Sequence, residues 1–569
     1  MVTSGGGMSS RANVAANFDR LLLLFVSAVA FVLLANWPKA FFGGGSLYLL
    51  TEDDSMISLR VAYNFANGFG PYFNLGERVA ANTSLIWPII CSALYKFYGL
   101  APAIEYGAYW SAAIAVAILA SVIFGASSAA AAALAAFLIL VSPTLRHFGP
   151  TLWEHVPQAL LVTLSFLAIL GRLPLREHWR IPLALVLASL AFLVRPDTLP
   201  ILTVIGLVAL HQWFYARKPT HVLSILFSAA AVLGYFAAHY YFYKSFVPNT
   251  YYLKVSDGAA QIRDGLAYLL RATFNGGFTA VAIAAGLLTI GAVRAGDRLD
   301  VGHKIVWACI GLQTAYVVSV GGDIFWYGRF FLLLFPIVAL FAAERVAELW
   351  TAKEGEPHGR NWTLVASAVL LFLSVSLVVA FVIERRNTRM EPQRLASVGD
   401  PSIPIFADTR MSQIALSNVI RKLISPAEGE IGLAYLGISY YLPEYRIADF
   451  LGKADPVIAH QSAKPGNWVG HSKWDVAHSL IGRNVTVFPF ATYFLSRDPV
   501  TGRYGPSPRL TAEASGGFQF ASDFAASDLV WDKYEFFSPA MLGQDHSWGL
   551  FVRKDLAHRV RERLGPARQ

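Results

Sequence analysis

The sequence predicts a mainly α-helical, polytopic membrane protein with about eleven transmembrane helices, followed by a C-terminal extracytoplasmic α/β domain. Three observations predict it. The 569 residues are 55% hydrophobic and only 15% charged, more apolar than a soluble chain needs. Apolar runs recur along the chain, with basic residues gathered in alternate loops. After about residue 385 the composition turns polar, with short strand-like runs between loops rich in Gly, Pro, Asp and Ser. The 14% aromatic content suits belts at the two membrane interfaces. The net charge of +9 belongs to inside loops in such a chain and calls for no nucleic-acid partner. The two cysteines, Cys91 and Cys309, both lie in apolar segments, which excludes a disulfide framework and a CxxC metal site.

Taken in order, residues 1–19 are Gly/Ser/Ala-rich and read as a disordered cytoplasmic tail. Residues 20–36 form the first span, an uncleaved anchor. Arg11 and Arg20 precede it and place the N-terminus inside. A first outer loop over 37–83 holds Glu52-Asp53-Asp54 and a helix Ser55–Asn67 closed by Gly68. Residues 84–98 contain Pro88, end near Lys96 and reach only about 22 Å as a helix, short of a hydrocarbon core of about 30 Å. They read as an interfacial helix. Further spans are expected near 104–124, 127–142, 155–171, 180–194, 198–214, 221–243, 276–292, 303–320, 329–348 and 361–383, closing a membrane domain over 20–384. Arg172, Arg176, Arg180, Arg217, Lys218, Arg294, Arg298, Lys304, Lys353 and Arg360 then fall inside. Counting 84–98 as a span would turn them all outside, against the positive-inside rule. The soluble domain, 385–569, falls outside, with strands expected at Ile431–Tyr435, Val485–Phe488 and Gly549–Val552. No internal repeat is present.

The outer loops hold isolated bases beside acids and aromatics: Asp53-Asp54; Glu154-His155; Arg195-Pro196-Asp197; Asn249 through Lys254; Asp323 and Arg329. This chemistry fits a lipid-phosphate sugar donor. Arg195, Lys254 and Arg329 can hold a phosphate. Asp53 or Asp54 can take the proton of an acceptor hydroxyl. Aromatic rings can stack on a sugar or pack on prenyl chains. Plainer readings stand beside these. Asp53 or Asp54 can cap the following helix, Arg195 can mark a turn with a snorkelling base, and Lys254 can meet lipid headgroups. His147 and His155 lack a third spaced ligand for a metal. A divalent cation between acids and phosphate is compatible with the residue types, though no ligand spacing demands one.

Together the motifs resemble bacterial GT-C glycosyltransferases of the AftB-like arabinofuranosyltransferase type. The resemblance rests on Asp53-Asp54 with a helix to Asn67-Gly68, Asn74-x-Gly76-Glu77-Arg78-Val79, Asn82-Thr83-Ser84, Arg195-Pro196-Asp197, Pro248-Asn249-Thr250-Tyr251-Tyr252-x-Lys254 and Gly321-Gly322-Asp323 before Arg329. In the soluble part it adds Ile447-Ala448-Asp449-Phe450-Leu451-Gly452 and Gly470-His471-x-Lys473-Trp474. The loop at Trp153-Glu154-His155 lacks the Gly-Leu-Glu-Thr form of the family. The resemblance implies a GT-C fold in a bacterial inner membrane, a catalytic carboxylate in the first outer loop, and a decaprenyl-phosphate arabinofuranose type of donor. It also implies a C-terminal domain that holds the acceptor glycan. Asn249, Tyr252 and Asp323 join the donor-binding set. Glu154, His155, Asn82 and His471 are candidates for touching the acceptor or supporting the donor site.

The function expected is transfer of a sugar, arabinofuranose by resemblance, from a polyprenyl-phosphate donor to an extracytoplasmic cell-envelope glycan. Another polyprenyl-phosphate sugar, delivered to lipopolysaccharide, glycan or protein, is the alternative within the class. A lipid-linked sugar flippase would place polar or broken helices at mid-membrane and often repeat its halves. A glycan-binding scaffold would not gather acids and bases beside the membrane.

Overall fold

The apolar runs become helices and the polar C-terminal third becomes a sheet with helices on its faces. The computed structural model describes residues 6–41, 53–255, 258–275, 277–294, 296–323, 325, 327–351, 375, 379, 409–464, 469–492, 495–498, 503–506, 519–543 and 548–565. Glu52 and nearly all of the expected span 361–383 lie outside the described residues, as does the side chain of Asp53.

The helices run α1 (Gly6–Phe41), α2 (Asp53–Ala66), α3 (Ile86–Tyr98), α4 (Leu100–Gly125), α5 (Ala129–Val141), α6 (Pro143–Phe148), α7 (His155–Ile169) and α8 (Glu177–Val194). They continue with α9 (Leu199–Ala216), α10 (Pro219–Tyr243), α11 (Asn249–Lys254), α12 (Gly258–Asn275), α13 (Phe278–Arg294), α14 (Val301–Ser319) and α15 (Phe335–Thr351). Among the described residues, five helical stretches are long and apolar enough to cross a membrane: Asn17–Ala35, Tyr106–Gly125, Glu177–Val194, Pro196–Tyr215 and Pro219–Tyr243. The bent pair α12–α13 makes a sixth if it counts as one span. The helices α5 and α7 are apolar but shorter. One difference from expectation lies at the start. Helix α1 begins at Gly6, inside the stretch 1–19 expected to be disordered. Ala and Arg between Ser10 and Ala16 are good helix formers and extend a rod that the apolar span has already nucleated.

The chain divides into two compact units. The first comprises residues 1–49, 105–235 and 261–386. In it α7 and α8 pack through small residues, with Ser165 Oγ donating to the Ala184 carbonyl at 2.8 Å. Arg20 caps the end of α4 by donating to the carbonyls of Phe124 (2.9 Å) and Ala126 (3.0 Å). Glu344 of α15 accepts from the Ser127 N–H at 2.8 Å and pairs with Arg172 at 3.1 Å.

The second unit comprises residues 50–104, 236–260 and 387–569. Its centre is a five-stranded mixed sheet in the order β2-β1-β3-β7-β6. The strands are β1 (Glu430–Leu433), β2 (Ile447–Asp449), β3 (Val485–Ala491), β6 (Tyr534–Phe537) and β7 (Trp548–Arg553), while β4 (Leu495–Arg497) and β5 (Tyr504–Pro506) form a separate ribbon. Strand β1 runs parallel to β2 and β3, and β7 antiparallel to β3 and β6. Alternation sends Leu550 and Val552 to one face and Phe551 to the other. The second face packs on Phe520, Phe524 and Ala525 of a helix over Gln519–Ala526. The first is covered by Leu416, Ile420 and Leu423 of α16 (Thr409–Leu423), and by Leu556, Ala557 and Val560 of α17 (Lys554–Leu564). Ile57 and Val61 of α2, with Phe73 and Ala81 after it, complete that same core. The segment carrying the acidic run is thus built into the C-terminal sheet domain.

Candidate functional site

Each unit carries a polar cluster. Asp53, Asp54, Asn82, Asn249, Tyr252, Lys254 and His471 belong to the second unit, and Glu154, His155, Arg195, Asp323 and Arg329 to the first.

In the second unit, α2 is amphipathic: Ile57 and Val61, four residues apart, enter the sheet core. Gly68, with φ +81°, ends it, and the Phe69 N–H returns to the Asn64 carbonyl at 3.0 Å. Arg60 holds the helix in place. It is 2% exposed and donates to the carbonyls of Phe73 (2.9 Å), Ser439, Leu442 (2.8 Å) and Tyr445 (2.6 Å). Its guanidinium also lies 4.9 Å from the Phe73 ring centre. Asn74 closes the free edge of β2 as a strand would. Its Nδ2 donates to the Ile447 carbonyl at 2.8 Å and its Oδ1 accepts from the Ile447 N–H at 3.0 Å. Glu77 accepts from Arg446 and Arg483, each at 2.6 Å.

These anchors leave Asp54 in the first turn of α2, where the Lys453 Nζ lies 2.8 Å from its Oδ1. The turn that carries Lys453 is held from several sides. The Asp449 carboxylate accepts the N–H groups of Leu451 (2.9 Å) and Ala454 (2.6 Å). Burial pushes the Asp449 carboxyl up to about 6, against the pull of those two N–H groups. Asn249 Nδ2 donates to the carbonyls of Gly452 (2.7 Å) and Lys453 (3.2 Å). Gly452 sits at φ +83°, and a Cβ there would stand 2.8 Å from Ile458 Cγ2, so only glycine fits.

The remaining expected residues of this unit make contacts of their own. The Asn249 N–H donates to the Ala80 carbonyl at 3.0 Å, and Thr83 meets Thr250 at 3.3 Å. Asn82 donates to the Ser84 carbonyl and shapes the entry to α3. The Tyr252 ring lies 4.1 Å from the His460 ring, centre to centre. Its carbonyl accepts from Lys473 Nζ at 2.8 Å, and Ala459 O accepts from the same ammonium at 2.9 Å. Burial lowers the Lys473 pKa from its ordinary value. The Lys254 side chain runs along Gly470, where an added Cβ would stand 3.9 Å from its Cγ. Half-buried His471 follows.

In the first unit, Arg195 follows the last residue of α8. Its Nη1 pairs with Glu154 Oε1 at 2.6 Å and its Nε with Asp197 Oδ2 at 3.0 Å. Gln158 donates to Asp197 Oδ1 at 2.6 Å and Gln313 to the Asp197 carbonyl at 2.9 Å. Arg329 pairs with Asp323 through Nε. Its Cζ lies 4.5 Å from the Trp153 ring centre and 4.3 Å from that of Phe325. Both arginines also face the Phe330 ring, at 5.6 and 5.4 Å, against which His155 stacks at 5.8 Å. Gly321 and Gly322 both have positive φ, and a Cβ on Gly322 would stand 2.4 Å from Tyr268 Cβ. The Gly-Gly pair therefore makes the turn that presents Asp323.

Among the described residues no group of three or more His, Cys, Asp or Glu side chains is arranged to hold a metal. Sequence reasoning did not single out Lys453 or His460. The readable signal for Lys453 was its position directly after the Asp449–Gly452 motif.

The fold has solved counterparts. The chain superposes on the oligosaccharyltransferase of Archaeoglobus fulgidus in its apo form with a TM-score of 0.51 and 11% identity, covering 91% of this chain and 79% of that one. It superposes on ArnT from Cupriavidus metallidurans bound to undecaprenyl phosphate with a TM-score of 0.51 and 12% identity, covering 96% and 99%. The chain has the fold of these proteins, here a core of apolar helices followed by a C-terminal sheet domain. No family model and no curated protein matches the sequence.

Proposed function

We propose that the chain is a membrane glycosyltransferase that moves a sugar, arabinofuranose by motif resemblance, from a polyprenyl-phosphate donor to an extracytoplasmic glycan. The observation that carries this reading is the meeting of Asp54 and Asn249 at the turn Gly452–Lys453, with Tyr252 and Lys254 on the short helix that Asn249 begins. It is supported by a fold shared with an ArnT structure that holds undecaprenyl phosphate.

In the reaction, the acceptor oxygen forms a bond to the anomeric carbon as the bond from that carbon to the phosphate oxygen breaks. The electron pair of the broken bond leaves with the polyprenyl phosphate. The hydroxyl proton passes to Asp53 or Asp54. By motif resemblance Lys254 in the sheet unit, and Arg195 and Arg329 in the helical unit, are each candidates for a phosphate contact, with Asp323 holding Arg329. Glu154, His155, Asn82 and His471 are assigned supporting or acceptor roles. The proposed location is a bacterial inner membrane, N-terminus inside and sheet domain outside.

The test is turnover by purified protein given polyprenyl-phosphate arabinose, then other polyprenyl-phosphate sugars, with a glycan acceptor. Loss of turnover in Asp53→Asn or Asp54→Asn, with folding intact, is expected. Full activity in both would remove the acidic run from the mechanism. A cysteine placed at Glu154 is expected to label from outside; labelling from the cytoplasm alone would invert the topology.

A further inference from the structure

We propose that Lys453 is a positioning residue of this site, its ammonium aiming the Asp54 carboxylate. The inference rests on the transferase reading above and adds a residue that the sheet domain supplies to the acidic run. A base must be aimed at the proton it takes, and a neighbouring cation can do the aiming. Lys453 Nζ provides one at 2.8 Å from Asp54 Oδ1, a charge-assisted hydrogen bond that also restricts the carboxylate's rotation.

The pair differs from an ordinary surface bridge in two respects. Its side chains are 14% and 25% exposed, so solvent screens it less. The backbone beneath Lys453 is also fixed on both sides: Asp449 binds the N–H groups of Leu451 and Ala454, and Asn249 binds the Gly452 and Lys453 carbonyls. A lysine needed only for solubility does not require that scaffold. Two other buried cations of this unit are used differently. Arg60 and Lys473 donate to backbone carbonyls and hold chain to chain. Lys453 delivers its charge to a carboxylate at the start of α2.

The experiment compares wild type, Lys453→Gln, Lys453→Arg, Asp54→Asn and the double variant Asp54→Asn/Lys453→Gln as full-length proteins. Lys453→Gln is expected to lower kcat about tenfold or more with the donor KM within about twofold, and Lys453→Arg to recover most of kcat. In the Asp54→Asn background the Lys453 substitution is expected to cost nothing further. An unchanged kcat in folded Lys453→Gln would overturn the proposal. So would a rise in donor KM alone, which would make Lys453 a donor ligand, or losses that multiply in the double variant. The same cycle read by thermal melting requires no turnover. If wild type transfers no sugar from any donor, the transferase reading fails, yet absence of coupling between the two positions in melting still overturns the pair and its presence still supports it.

Discussion

In the helical unit, Arg195 and Arg329 are buried against carboxylates and aromatic rings. In the unit built on the sheet, Arg60 and Lys473 are buried against backbone carbonyls. The difference separates two uses of a buried cation. A carboxylate partner is a mobile anion that another anion can replace, and a guanidinium fork accepts phosphate in the same geometry. A ring of carbonyls belongs to the main chain and cannot be exchanged. The first arrangement suits a charge that handles ligands; the second suits one that fastens segments together.

Arg60→Met gives the largest expected effect. It removes the charge-assisted hydrogen bonds to the carbonyls of Phe73, Leu442 and Tyr445, costing about 4 kcal/mol or more. Thermal melting and protease sensitivity of purified protein measure it, and a wild-type melt would remove Arg60 as the fastener. Next is Asp323→Ala, which strands the buried Arg329 at a cost of about 3–5 kcal/mol. The double variant Asp323→Ala/Arg329→Leu should recover part of that loss in the same melt. Equal losses in both would show that the aromatic contacts, not the ion pair, carry Arg329.

Asp449 gives the third effect, and it depends on pH. Its carboxyl is raised from 3.8 to about 6 by burial. Its contribution is therefore whole below about pH 4 and lost as pH rises through about 6, a change on the order of 3 kcal/mol. Asp449→Asn should flatten the melting curve across that window; an unchanged slope would assign it to other groups. Smallest is Arg446→Gln. Its side chain is 56% exposed, so losing its pair with Glu77 should cost less than about 1 kcal/mol.

Local patterns were legible and long-range partners were not. Apolar runs marked α4, α8, α9 and α10 because burial in lipid demands length and hydropathy, and both are written in consecutive residues. The strands β1, β3 and β7 were legible as short apolar runs between turns. Gly68 marked the end of α2 because only a residue tolerant of positive φ fits there. The amphipathic face of α2 was also readable, but periodicity names no partner. That Ile57 and Val61 join one core with Leu433 and Leu550 depends on how distant segments fold. The same holds for Lys453, whose partner Asp54 lies 399 positions away. Glu154 reaches Arg195 over a separation of 41, again without a local signature. Asp197 and Arg195, two residues apart, lay within reach of local reading.

Three of the carbonyls that receive Arg60, those of Ser439, Leu442 and Tyr445, sit 379 to 385 positions further along the chain. During synthesis at about 5–20 residues per second, they emerge from the ribosome roughly 20–80 s after Arg60 does. Until then α2 lacks those three hydrogen-bond acceptors and the sheet side of its apolar core. The acidic run therefore acquires its final geometry only near the end of translation. A chain stopped before residue 436 should leave α2 open to protease, whereas one stopped after residue 565 should protect it. Protection of α2 in the shorter chain would show that the helix seats without the sheet.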